Sequence, residues 1–319
     1  MEKRLMVNSS PHFHSSTTTS EIMTDVVIAL LPTLLAAAYI FGYRVITVTV
    51  ICIAASVIFE FLYRRILKLP DTIGDMSAVV TGILLAYNLP VTIPLWMAII
   101  GCFVAVVIVK QLFGGIGKNF ANPAIVGRIV LFVSFATPMT NWVLPKALQT
   151  ADAATGATPL AQYWSSINPA TPVASEVLPG YRDLFLGMVG GSMGETCKLT
   201  LIIGFLYLVI RRVVSPSAPV AFIGTVFLAT WALGHDPVYQ ILSGGLMLGA
   251  FFMATDYVTT PVTERGKLIF GIGCGLITTI IRLYASYPEG VSFAILLMNI
   301  LSPHIDNLCR TKALGGAKA

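Results

Sequence analysis

Three groups of residues carry the chemistry that this chain can do. The first is Asp152-Ala153-Ala154-Thr155-Gly156-Ala157-Thr158-Pro159-Leu160. Small side chains from Thr155 to Thr158 leave the backbone open and the Thr158 hydroxyl free of steric cover. Gly156 permits a positive φ, and Pro159 keeps a helix from running smoothly through. A hydroxyl presented in this way is a candidate acceptor for covalent modification; a plain turn-rich loop is the competing reading of these nine residues alone. The second group runs from Gly114 to Arg128, where glycine amides, Lys118, Asn119, Asn122 and Arg128 are gathered between two apolar stretches. Donors of this kind suit a phosphate or an electron-rich heterocycle. No strand precedes the glycines and no Walker pattern is present.

The third group is ionisable side chains inside or at the edges of apolar runs: Glu60, Lys110, Arg128, Lys198, Asp256, Arg282 and Asp306. A charge near the centre of a bilayer costs about 2.5–3.5 kcal/mol on insertion scales. Lys110 and Lys198 have stems long enough to reach the interface, and Glu60 is expected to face headgroups beside Arg64. Arg128 and Asp256 have no such easy explanation. The five cysteines form no CxxC pair and the four histidines no helical i, i+4 pair. No metal site and no catalytic side chain is expected.

The surrounding elements must hold these groups in lipid. Of 319 residues, 56% are hydrophobic and 11% charged, and the mean hydropathy is +0.82. Soluble domains carry about 25% charged residues, so the chain reads as an all-α integral membrane protein. The polar first twenty residues read as a tail without a signal peptide. Apolar runs near spanning length fall at 25–41, 45–62, 76–88, 94–113, 122–136, 197–210, 218–233, 241–257, 268–284 and 291–306. With the N-terminus inside, ten spans place Arg64, Arg65, Lys68, Lys118, Arg211, Arg212, Arg265 and Lys267 in the cytoplasm. Only Arg44, Lys146 and Arg182 fall on the other side, as the positive-inside rule requires. Both termini are then cytoplasmic and the Thr158 segment is extracytoplasmic.

Ten spans divided after the fifth imply two five-helix repeats of inverted orientation. The expected organisation is a tail over 1–24, a first repeat over 25–136, an extracytoplasmic segment over 137–193, a second repeat over 194–308 and a tail over 309–319. Runs 76–90 and 244–259 each contain glycine and break at a polar residue, Asn88 or Asp256. Interrupted spans in corresponding places point to a midplane site. The spacings Gly245/Gly249 and Gly271/Gly275 read as close helix packing.

Lys110 to Ala124 with Gly127-Arg128, Asp152 to Thr158, and Met253-Ala254-Thr255-Asp256 together resemble the NqrB/RnfD family of membrane subunits of ion-pumping redox complexes. Tyr287-Pro288-Glu289-Gly290 and Ser302-Pro303-His304-Ile305-Asp306 are also similar, so the resemblance spans nearly the whole chain. It implies an Rnf-type subunit of a bacterial inner-membrane ferredoxin:NAD+ oxidoreductase, a translocase that couples electron flow to Na+ or H+ transport. In the family the Thr of D-x-x-[ST]-G-A-T carries FMN as a phosphoester, which assigns that role to Thr158 with Thr155, Gly156 and Ala157 beside it. Thr155 stands where Ser is common and Ala153 where Gly is common. A second, non-covalent flavin, riboflavin in the best-known members, is also implied. Arg128, Lys118, Asn119 and Asn122, with Thr255 and Asp256 from the second half, are the expected flavin contacts. Glu289, Asp306 and Glu60 are candidates for an ion path. The implied partners are lipid and other subunits carrying iron–sulfur clusters and flavin; no nucleic acid is expected. A channel or transporter without redox chemistry, and a structural anchor for other subunits, remain as competing readings.

Overall fold

The computed structural model describes residues 17–148, 156–167, 178–285 and 289–309. Asp152 to Thr155, Tyr287 and Pro288 lie outside the described residues, as do most of both expected tails. Helices occupy every apolar run read from the sequence. In the first half they are α1 (Thr19–Phe41), α2 (Arg44–Ile66), α3 (Ser77–Tyr87), α4 (Leu95–Phe103) and α5 (Pro123–Ser134). Short helices α6 (Ala136–Met139), α7 (Pro159–Ile167) and α8 (Tyr181–Leu186) follow. The second half holds α9 (Lys198–Ile210), α10 (Ser217–Ala232), α11 (Pro237–Leu242), α12 (Leu246–Leu248), α13 (Glu264–Tyr284) and α14 (Val291–Leu308).

Local sequence sets the ends of these helices. Thr18 and Glu21 cap α1 reciprocally, each side chain bonding the other's backbone N–H. Asn122 caps α5 and Asp236 caps α11, each followed by a proline at the first helical position. Such caps satisfy N–H groups that lipid cannot. Among the described residues, α1, α2, α13 and α14 are long and apolar enough to cross a membrane alone, and five apolar helices are shorter. Leu35, Val133 and Ile210 are each 70% or more exposed. So broad an apolar exterior belongs against lipid, and the chain is a multi-pass membrane protein.

Among the described residues, two of the apolar helices continue into π geometry. Helix α4 continues as a π-helix over Val104–Gln111, and α12 does so over Gly249–Met253. The expected continuous span over 241–257 is broken at Ser243–Gly245, where Ser243 turns extended and Gly244 takes a positive φ of 63°. Packing follows from small residues. An added Cβ at Gly204 of α9 would strike the Ala29 carbonyl of α1, and Gly271 and Gly275 of α13 lie against the α10 backbone. Helix α2 carries α3 and α4, while α10 carries α11 and α13. Between the halves, α1 meets α9 and α5 meets α14.

Candidate functional site

Two separate buried polar regions stand out, one of them against α1. That one touches the helix's first residue, Thr19, through a cavity of about 270 Å³. The other surrounds Thr158 and the buried stretch 189–197.

The cavity has mostly apolar walls from α1, α3 and the α12 extension, with Lys110, Asn119, Asn122, Thr255 and Asp256 among its polar edges. Asn122 serves twice here: its side-chain oxygen caps α5 at Ala124 N (3.0 Å), and its amide donates to the Met253 carbonyl (3.4 Å) in the other half. Asp256 accepts from Thr259 Oγ1 at 3.1 Å. The π-helical turn of α4 carries Lys110 inward, where it donates to Glu60 (2.7 Å) and Ser77 Oγ (2.6 Å). Thr72 donates to the other Glu60 oxygen at 2.6 Å. Glu60 is fully buried and Lys110 nearly so. Neither reaches headgroups or the interface as their sequence context suggests, because each satisfies the other inside the bundle.

In the other region, Thr158 is only 4% exposed. Its hydroxyl is not free, as the small residues around it suggest: it accepts from Ala161 N at 3.2 Å. Pro159 starts α7 instead of merely stopping a helix, and this makes Thr158 the residue that caps it. Gly156 N donates to the Trp142 carbonyl at 3.1 Å, while Ala157 is exposed. Helix α7 is pinned by Tyr239, whose hydroxyl donates to the Pro159 carbonyl (3.2 Å) and whose ring stacks on Tyr163. Tyr163 in turn accepts from Asp236 N at 3.1 Å. Tyr181 of α8 donates to the Asp236 carboxylate, and that hydrogen bond raises the phenol above its ordinary pKa.

Beneath Thr158 runs a non-helical stretch, 189–197, in which every residue is buried. Met193 N and Gly194 N donate to the Leu89 and Tyr87 carbonyls at the end of α3. Irregular backbone of this kind is tolerated in a membrane only where protein or a cavity surrounds it. Glu195, Thr196 and Lys198 share a narrow pocket with Thr158, Ser243 and Gly244. Lys198 donates to the Glu195 and Gly244 carbonyls, so it too stays inside and does not snorkel. Arg282 donates to Gln240 and to the Ser243 carbonyl. Arg128 donates to Asn88 (3.0 Å), Ser292 (3.1 Å) and the Glu289 carboxylate.

The expected flavin contacts therefore divide. Asn119, Asn122, Thr255 and Asp256 share the cavity; Arg128 joins the other region with Glu289; and Lys118 folds over Gly114. Asp306 accepts from Val262 N at 3.0 Å. Of the ion-path candidates, Glu60 and Glu289 are held in ion pairs with Lys110 and Arg128. Sequence reasoning missed Glu195 and the inward roles of Lys110, Lys198 and Arg282. The run Gly190-Gly191-Ser192-Met193-Gly194-Glu195 before a span resembles the glycine-rich 114–122 stretch and was the available signal.

The two donor sets fit the implied flavins in different ways. At Thr158 a helix N-terminus and the Lys198 ammonium suit a phosphoryl group, but space of about 10 Å³ leaves no room in this pocket for a flavin ring. The cavity is near the lower end of small-molecule sites, roughly 300–1,000 Å³, and its apolar walls with polar edges suit a flat heterocycle.

The family model described as NQR2, RnfD, RnfE matches residues 6–315. The D subunit of a Na(+)-translocating ferredoxin:NAD(+) oxidoreductase complex from Acetobacterium woodii is 44% identical over 99% of this chain and 97% of that protein. Its counterpart in a Proton-translocating ferredoxin:NAD(+) oxidoreductase complex from Clostridium ljungdahlii is 40% identical over 97% of this chain and 96% of its own length. The D subunit of an Ion-translocating oxidoreductase complex from Stutzerimonas stutzeri is 39% identical over 92% of this chain and 91% of its own. With a match that runs from end to end, the chain belongs to the NQR2, RnfD, RnfE family.

Proposed function

We propose that this chain is the flavin-carrying D subunit of an ion-translocating ferredoxin:NAD+ oxidoreductase. Its partners are other membrane, iron–sulfur and flavin subunits, and the cargo is Na+ or H+. The observation that carries the reading is Thr158 itself, a hydroxyl at the start of α7 with a buried lysine in the same pocket. FMN linked there through its phosphate would supply one- and two-electron chemistry. The chain's own residues do the rest. Thr158 would fix the tether, the positive N-terminal end of α7 would favour the phosphate, and Tyr239 with Tyr163 holds α7 on the bundle. In the other region Asn119, Asn122, Thr255 and Asp256 would orient a second, non-covalent flavin such as riboflavin, while the apolar walls exclude water from it.

Ten spans in two inverted repeats complete the reading. Its support is the matching roles of α2 and α10, each of which carries the two helices named with it above, and the pairing of α1 with α9 and α5 with α14 across the halves. The lysine and arginine distribution supports cytoplasmic termini and an extracytoplasmic Thr158 in the inner membrane. The test is to produce the protein with its flavin transferase, denature it on a gel and view it under ultraviolet light. Yellow-green fluorescence should travel with the chain, and the Thr158 peptide should gain the mass of FMN less water. A chain that stays dark and unmodified sinks the flavin reading and leaves a non-redox transporter.

A further inference from the structure

The buried region beneath Thr158 has a charge imbalance that its hydrogen bonds do not resolve. Arg128, Lys198 and Arg282 face two carboxylates, Glu195 and Glu289, which leaves one positive charge in excess. All three cations are at most 8% exposed. Of these three, Arg128 alone has an ion pair among the described residues. Lys198 finds backbone carbonyls of Glu195 and Gly244, and Arg282 finds the carbonyls of Gln240 and Ser243 with the Gln240 side chain. The Arg282 Nε, the Thr196 and Ser192 hydroxyls and one Glu195 carboxylate oxygen are buried without a hydrogen-bond partner. Gly244 and Gly245 tie the groups together. A Cβ placed on Gly244 would lie 3.2 Å from Arg282 Nη2 and 3.3 Å from Leu160 of α7, and one on Gly245 would lie 2.7 Å from the Glu195 carboxylate. An unpaired buried cation is costly, so a region built this way is incomplete without an anion.

We propose that Lys198, backed by Arg282, is the counter-charge of a phosphodiester at Thr158. This rests on the covalent-flavin reading above. A phosphodiester carries one negative charge, and with it the region is neutral. Lys198 lines the pocket of Thr158 and has one N–H left after its two carbonyl bonds; Thr196 Oγ1 offers a second donor in the same pocket. The ammonium is thus a positioning residue that holds the tether against the bundle.

The sign of a stability change tests this. Wild type, K198R and K198Q are each produced with and without the flavin transferase, the loading of Thr158 is read by intact mass, and thermal unfolding is followed in detergent. Loading should raise the melting temperature of wild type and K198R. In K198Q the unloaded form should match or exceed unloaded wild type, and loading should give no gain or a loss. An equal gain on loading in K198Q overturns the counter-charge. A mass that shows no FMN adduct in wild type overturns the covalent-flavin reading and the counter-charge with it, and the two failures are told apart by that mass alone. If K198Q accumulates in neither form, Arg282→Gln carries the same expectation, and an undiminished gain there overturns the proposal.

Discussion

The two buried polar regions are built on opposite plans. In the region at Thr19, Glu60 and Lys110 close on one another as a balanced pair, and about 270 Å³ of largely apolar space lies beside them. In the region at Thr158, five charged side chains are packed together with an excess cation, and the free space is about 10 Å³. Room with few charges selects a flat, weakly charged heterocycle by shape and dispersion. Charge with little room selects a compact anion. Breaks in helices serve both regions, since α3 stops at Asn88 and the α12 extension stops at Ala254, where lipid would not permit open backbone. On the flavin reading proposed above, one bundle would hold two flavins in unlike ways, one by its ring and the other by its phosphate.

The sharpest way to break this contrast is Thr158→Val, which should abolish flavin fluorescence on denaturing gels and leave the contents of the cavity unchanged. If the covalent signal survives, the tether is elsewhere. Next in size is the balanced pair. Glu60→Gln or Lys110→Met alone should destabilise the protein by about 3–5 kcal/mol, because each strands a buried partner, while the double change to Leu and Met should recover most of the loss. Thermal unfolding of the three variants decides whether the pair is self-contained. Asp256→Asn removes a carboxylate from the cavity edge and should weaken retention of a non-covalent flavin by about tenfold, the loss of roughly one charge-assisted hydrogen bond. Measured as flavin per protein after gel filtration, an effect on the covalent flavin instead would mean that the two regions are not independent.

The smallest effect concerns the latch beside Thr158. Tyr181 donates to Asp236, and this raises its folded pKa above the unfolded value near 10. A raised tyrosine contributes stability that is full below the unfolded pKa and is lost as pH rises through the folded one. The melting-temperature advantage of wild type over Tyr181→Phe should therefore shrink as pH rises from about 9 to about 11. A constant difference would show that the hydrogen bond does not titrate with the fold.

Helix positions are legible because the membrane demands long apolar runs, so each such run in the sequence contains a helix. The break at Ser243–Gly245 is not, since three small residues inside an apolar run do not reveal that Ser243 turns extended. Asn119, Asn122, Thr255 and Asp256 are readable as polar residues beside spans, and the fold brings them to one cavity. Arg128 stands out in the sequence for the right reason, its burial, yet its partners lie 40 to 164 residues away, beyond any local pattern. Lys110 and Lys198 mislead because a lysine stem reaches an interface or a buried acceptor equally well, and only tertiary contacts decide between them. The Thr158 hydroxyl reads as open from its small neighbours, while the cap it provides depends on α7 forming directly after it.

The stretch 189–197 also has a consequence for the order of synthesis. Its backbone bonds to Leu89 and Tyr87, which are made early, while the Lys198 and Arg282 groups beside it close on Gly244 and Ser243, which are made late. A ribosome that has released the chain only as far as Leu233 has delivered Thr158 without the Leu242, Ser243 and Gly244 side of its pocket. The tether site is therefore finished last, and a fully seated Thr158 reports that the far end of the chain has arrived in the membrane.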